Sequence, residues 1–189
     1  MLRRSIENID NKDFHNQRTW VDIEDIAQVM VRAVIASEDG RFMTHHGFDF
    51  EEIDKMMDEH ERKGKKIRGC STISQQTAKN CFTFGSKTWL RKGVEAYYTF
   101  LIELIWGKKR IMEVYLNVAE TGKGLYGVEA ASMKYFKRHA SALTQDQAIC
   151  LACILPNPLV RRPDNVSSRH RTKYDTVARN LKYTPYPFE

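Results

Sequence analysis

The sequence predicts a mainly α domain, on three observations. Apolar residues recur at helical spacing in one segment after another, residues that cap helices stand where those segments begin, and strand signals are few and short. The chain has 189 residues, enough for one domain with a real core. Hydrophobic residues make up 42% and aromatic residues 11%, a composition that speaks against disorder.

Taken in order, Asp22 is the expected N-cap of a helix running toward Glu38, because Ile23, Ile26, Ala27, Met30, Ala33 and Val34 fall on one helical face. Residues 48–62 are weakly amphipathic, with Phe50, Ile53 and Met57 on one side, and Lys63-Gly64-Lys65-Lys66 reads as an exposed basic turn. A helix is expected to start near Ser71 or Thr72, since hydroxyl residues cap well, and to carry Gln75, Gln76, Lys79 and Asn80. Gly85 and Ser86 break the pattern. Residues 88–106 form the strongest helix, apolar enough to be expected buried on most sides, and Gly107 ends it. Shorter helices follow over 108–117 and 128–136, separated by a loop marked by Gly122, Gly124 and Gly127. Thr144 and Gln147 form a capping box before residues 148–155, and Pro156, Pro158 and Pro163 close the compact part.

The chain carries 30 Lys+Arg against 24 Asp+Glu, a net charge of +6 that favours an anionic partner. The basic residues are dispersed and lack interleaved aromatics, so no nucleic-acid surface is expected. No run approaches the roughly 18 apolar residues of a membrane span. The most apolar stretch, Tyr97 to Trp106, is interrupted by Thr99 and Glu103, and the first twenty residues are polar. The chain reads as soluble, or as a fragment that has lost an anchor. Cys150 and Cys153 stand three apart in an apolar run, open to three readings: small core residues, a disulfide or half a metal site.

Three segments concentrate functional side chains. In the first, Glu38 and Asp39 end an otherwise apolar helix and precede Phe42, His45 and Gly47. Carboxylates are unfavourable at the negative end of a helix dipole, so the placement points to use as well as to a solvated helix end. The second, Gly69 to Asn80, is rich in donors. Ser71, Thr72 and free N–H groups at a helix start suit a phosphate or a sugar, and Gln76 and Lys79 share a face. The third pairs Arg91 and Lys92 with Glu95 on an apolar helix, either as a plain surface ion pair or as a buried acid that needs cations. There is no HExxH, GxSxG or GxGxxG, and His45, His46 and His60 have no second cluster at metal spacing.

In these segments the chain resembles the peptidoglycan glycosyltransferases in their monofunctional form. E-D-x-x-F-x-x-H-x-G is met by Glu38, Asp39, Phe42, His45 and Gly47. G-x-S-T-x-x-Q-Q-x-x-K-N is met by Gly69, Ser71, Thr72, Gln75, Gln76, Lys79 and Asn80. R-K-x-x-E is met by Arg91, Lys92 and Glu95, and K-x-x-I-x-x-x-Y-L-N by Lys108, Ile111, Tyr115, Leu116 and Asn117. The resemblance covers roughly residues 20–165, leaving 1–19 as a polar extension without the family's anchor and 166–189 as a tail with no assigned role. Residues 51–66 are more charged than a segment lying against lipid would be.

The resemblance implies a lysozyme-like fold with a large lobe and a smaller membrane-facing lobe, at the outer, periplasmic face of the bacterial cytoplasmic membrane. It implies lipid II and the growing glycan strand as substrates, with the membrane surface and other cell-wall synthesis proteins as partners. Glu38 would be the base and Glu95 the second catalytic acid. Asp39, Phe42, His45, Ser71, Thr72, Gln76, Lys79, Asn80, Arg91, Lys92, Tyr115 and Asn117 would bind substrate. No tightly bound cofactor or protein metal site is implied, though magnesium at the diphosphate fits the chemistry. Two rivals use the same residues: a lysozyme-like hydrolase and a non-catalytic module that binds lipid II without turnover.

Overall fold

A computed structural model describes residues 16–64, 70–83, 88–163 and 168–188. Gly69, Lys65, Lys66, Gly85, Ser86 and the first fifteen residues lie outside them. The fold is mainly α, with eight helices and one small sheet among the described residues.

Helix α1 (Gln28–Glu38) is the centre of the core, with Met30, Val31, Ala33, Val34 and Ile35 buried. It is shorter than its apolar spacing predicts. Ile23–Asp25 forms only a 3-10 turn, Asp22 makes no side-chain cap, and the backbone at Ile26 and Ala27 is out of helical geometry. The cause is tertiary: Ile26 is buried, and the Ala27 N–H donates to the Ala140 carbonyl at 3.0 Å instead of closing a helical turn.

Asp49 caps α2 (Phe50–Lys63) by accepting the Glu52 N–H, and Gly64, at φ +60°, ends it. Glu51 and Glu52 in its first turn and His60, Arg62 and Lys63 in its last complement the helix dipole. No residue of α2 is buried. Thr72 and Gln75 form a reciprocal capping box at the start of α3 (Ile73–Phe82). Helix α4 (Trp89–Ile105) follows, and Gly107, at φ +70°, turns the chain directly into α5 (Gly107–Val118). Helix α3 packs between α4 and α5.

The expectation that α4 is buried on most sides is corrected here. Only Glu95, Thr99 and Ile102 are buried, while Leu90, Val94, Tyr97, Phe100 and Leu104 form an exposed stripe. The apolar residues of this helix do not report which neighbour covers them.

Strands β1 (Gln17–Arg18), β2 (Glu120–Gly122) and β3 (Leu125–Tyr126) form a sheet in the order β1-β3-β2, with β1 parallel and β2 antiparallel to β3. Helix α6 (Val128–Phe136) starts after Gly127, whose φ is +82° and where a Cβ would stand 2.8 Å from the Asn117 carbonyl oxygen. Helix α7 (Gln145–Ile154) begins with the expected Thr144–Gln147 box. The tail contains α8 (Ser168–Leu181), which packs against α1 and α7 through Val177 and Leu181.

Asn117 is fully buried and works as a strut. Its Oδ1 accepts the Val21 N–H at 2.9 Å, and its Nδ2 donates to the carbonyls of Val21 at 2.8 Å and Glu113 at 2.9 Å. Asn117→Ala leaves the Val21 N–H and carbonyl without these partners, and a loss of about 2–3 kcal/mol is expected in denaturant unfolding. An unfolding midpoint equal to that of the unsubstituted protein would contradict this.

Candidate active site

Glu38 ends α1 at an open cleft lined also by Ser37, Asp39, Gly40, Arg41, Asp49, Glu52, Cys70, Thr72 and Asn180. Its carboxylate is only 8% exposed. Oε1 accepts from the Ser37 hydroxyl at 2.7 Å and from the Lys173 ammonium at 3.1 Å. Oε2 meets the Gln76 amide at 3.4 Å, a long contact that leaves this oxygen with unused acceptor capacity.

A chain of hydrogen bonds sets the Gln76 amide. The buried Tyr115 hydroxyl donates to Gln76 Oε1 at 3.1 Å, which turns the amide nitrogen toward Glu38 and toward the Ser71 carbonyl at 3.3 Å. Burial pushes the Tyr115 phenol well above its ordinary pKa, and the charges of Glu38 and Asp39 push it further, so it stays a donor.

Asp39 faces the frame. Both its oxygens lie 3.0 Å from His45 Nε2, and Oδ2 also accepts the Ile73 N–H at 2.9 Å. His45 Nδ1 accepts the Gly47 N–H at 3.1 Å, which puts the proton of this tautomer on Nε2. Thr72 donates to the Gly47 carbonyl at 2.6 Å and accepts the Gln75 N–H at 3.1 Å. These bonds clamp the 38–47 segment to the start of α3. Phe42 is fully buried, with the Lys108 ammonium 4.6 Å from its ring centre.

The cations gather around Glu95. Its carboxylate is 3% exposed and accepts from Lys92 and, at 3.3 Å, from Arg91. The other acid of α4 named in the sequence, Glu103, is bonded to Ser74 and to Lys108 at 2.7 Å. The ammonium of Lys79, one turn along α3 from Gln76, makes no hydrogen bond or ion pair among the described residues. Burial lowers its pKa, Glu95 opposes this most, Arg91 and Lys92 lower it further, and Glu38 raises it. Lys79 therefore lies within electrostatic reach of both acids. Asn80 is exposed and Ser71 half-buried.

The structure thus brings Glu38, Gln76, Lys79, Glu95, Arg91 and Lys92 into one region, puts Phe42, His45, Tyr115 and Asn117 in the interior behind it, and leaves Asp39 and Thr72 between the two, on the cleft wall with their side chains bonded to the frame. Lys173 and Asn180, in the tail, fall in none of the three segments that concentrate functional side chains. Lys173 is 135 residues from Glu38, and no local pattern signals such a contact.

No group of three His, Cys, Asp or Glu side chains able to hold a metal occurs among the described residues. Glu95, the acid beside the cations, is already engaged by Arg91 and Lys92, so among the described residues it is not free to hold a divalent ion. All four cysteines are free thiols. Burial pushes Cys81 and Cys153 up to about 11, which makes both inert as nucleophiles near neutral pH.

A family model described as transglycosylase matches residues 4–182. Three similar proteins each bear the name biosynthetic peptidoglycan transglycosylase. One, from Haemophilus influenzae, is 48% identical over 183 residues, covering 96% of this chain and 74% of that protein. One from Bdellovibrio bacteriovorus is 49% identical over 94% of this chain and 73% of its own length. One from a Marinomonas species is 49% identical over 88% of this chain and 73% of its own length.

Proposed function

The chain belongs to the biosynthetic peptidoglycan transglycosylases, glycosyltransferases that polymerise lipid II into glycan strands, and from that premise we propose that Glu38 is the base of the reaction. The growing strand is the donor, with a diphosphate on its anomeric carbon, and lipid II is the acceptor through its GlcNAc 4-hydroxyl. Glu38 takes the hydroxyl proton as the oxygen attacks the anomeric carbon, and polyprenyl diphosphate leaves. One direct displacement converts an α-linked donor into a β-1,4 product. A positioned base contributes about 10²–10⁴-fold.

The observation that carries this reading is the Glu38 carboxylate. It is sheltered at an open cleft, with one oxygen tied down and the other left with acceptor capacity. Lys79 stands within electrostatic reach both of it and of Arg91 and Lys92. These cations neutralise the leaving diphosphate, an effect largest where charge develops in the transition state. Glu95 holds Arg91 and Lys92 in place. Incubation with lipid II should yield glycan strands on a gel. Saturable binding of lipid II without any strand would contradict a catalytic role.

As an enzyme of peptidoglycan synthesis the protein acts outside the cytoplasm. We place it at the outer face of the cytoplasmic membrane, although no described helix is long and apolar enough to cross one. The support is the α4 stripe, where Leu90 is 81% and Leu104 70% exposed, and the exposed Phe50 and Met57 of α2. An apolar face on an otherwise charged surface suits the headgroup boundary. The charged residues between Phe50 and Lys63 keep that contact shallow. Leu104→Asp should weaken co-sedimentation with phosphatidylglycerol vesicles by roughly tenfold. Unaltered sedimentation would remove the stripe from the membrane contact.

A further inference from the structure

Resting on Glu38 as the base, we infer that Lys173 is its positioning residue, fixing Oε1 so that Oε2 takes the acceptor's proton. Lys173 lies in the tail, outside the four motifs. Its ammonium bridges Glu38 Oε1, at 3.1 Å, and the Ser37 carbonyl, at 3.3 Å, tying the carboxylate to its own backbone. The Ser37 hydroxyl donates to the same oxygen, so Oε1 has two close donors while Oε2 has one long contact. A carboxylate held this way has one rotamer and one available oxygen. In hydroxyl activation an error of about 1 Å in that oxygen costs rate steeply.

The helix that delivers Lys173 is itself held. Val177 and Leu181 are in the core. Arg32 donates to the carbonyls of Leu181 at 2.9 Å and Thr184 at 2.7 Å, and the Tyr174 hydroxyl donates to Asp146 at 2.7 Å. Lys173 also sets a positive charge directly against the Glu38 carboxylate. Around Glu38 stand Asp39, already bonded to His45; Lys79 on α3; Tyr115 on α5; Cys153 on α7; and Arg41, Asp49 and Glu52 on the cleft wall. Among the described residues Lys173 is the cation bonded directly to the carboxylate.

The test is the pH dependence of kcat/KM for lipid II in the wild-type, Lys173→Met, Lys173→Arg and Glu38→Gln proteins, each checked by circular dichroism. The substrate's own ionisations are common to all and cancel in the comparison. Removing a cation from beside a carboxylate raises its proton affinity. In Lys173→Met the acid limb should therefore move to higher pH, and kcat/KM at neutral pH should fall about tenfold. Lys173→Arg should keep the limb in place. A folded Lys173→Met protein whose activity drops equally at every pH, with the acid limb unmoved and Glu38→Gln inactive, overturns the inference alone. Near-normal turnover by Glu38→Gln overturns the base and the positioning residue together.

Discussion

Glu38→Gln should lower strand synthesis from lipid II by about 10³-fold while leaving the fold intact. Glutamine has nearly the same shape and can still accept from Ser37 and Lys173, but it cannot take the acceptor's proton. The loss should appear in turnover, because the interaction removed is needed only as attack begins. The stability cost is small, since Lys173 is 29% exposed and water reaches the cation left behind. Turnover near the wild-type rate in a folded Glu38→Gln protein would remove Glu38 as the base.

Lys79→Ala should lower turnover by about 10²–10³-fold, with a smaller effect on KM. Lys79 is a partly desolvated ammonium without an ion-pair partner among the described residues, in a position that a diphosphate would complete. Its depressed pKa also predicts a pH effect. The ammonium is the active form, so activity should fall as pH rises through a value below the ordinary lysine range. Lys79→Arg, which stays charged, should move that alkaline limb upward. Unchanged kinetics in Lys79→Ala, or an alkaline limb that Lys79→Arg leaves in place, would take Lys79 out of the diphosphate site.

Local signals in the sequence carried the fold well. Thr72 and Thr144 start helices because each can bond its own N3 amide, an interaction contained within four residues. The features that escaped are those decided by distant neighbours. The Ala27–Ala140 bond breaks the first helix, and nothing near Ala27 announces it. The α4 stripe reads as core because its apolar side chains are the same ones that burial against protein would call for.

The site divides in the same way. The motifs brought Glu38, Gln76, Lys79, Arg91, Lys92 and Glu95 together in sequence order, and helix spacing explains Arg91 with Glu95. Residue type could not separate side chains that face the cleft from those behind it. Asp39 and Glu38 are adjacent carboxylates, yet Asp39 gives its oxygens to His45 and Ile73. Lys173 had no motif to mark it, because its partner is reached only by folding the tail back onto α1.

The central claim is that Glu38 activates a sugar hydroxyl and not water. Product analysis after incubation with lipid II and, separately, with finished peptidoglycan tests it most directly. The expected products are glycan strands from lipid II, with no free disaccharide-peptide and no fragments from the finished wall. Release of monomeric disaccharide-peptide from lipid II, or of fragments from the wall, would show water as the nucleophile and contradict it.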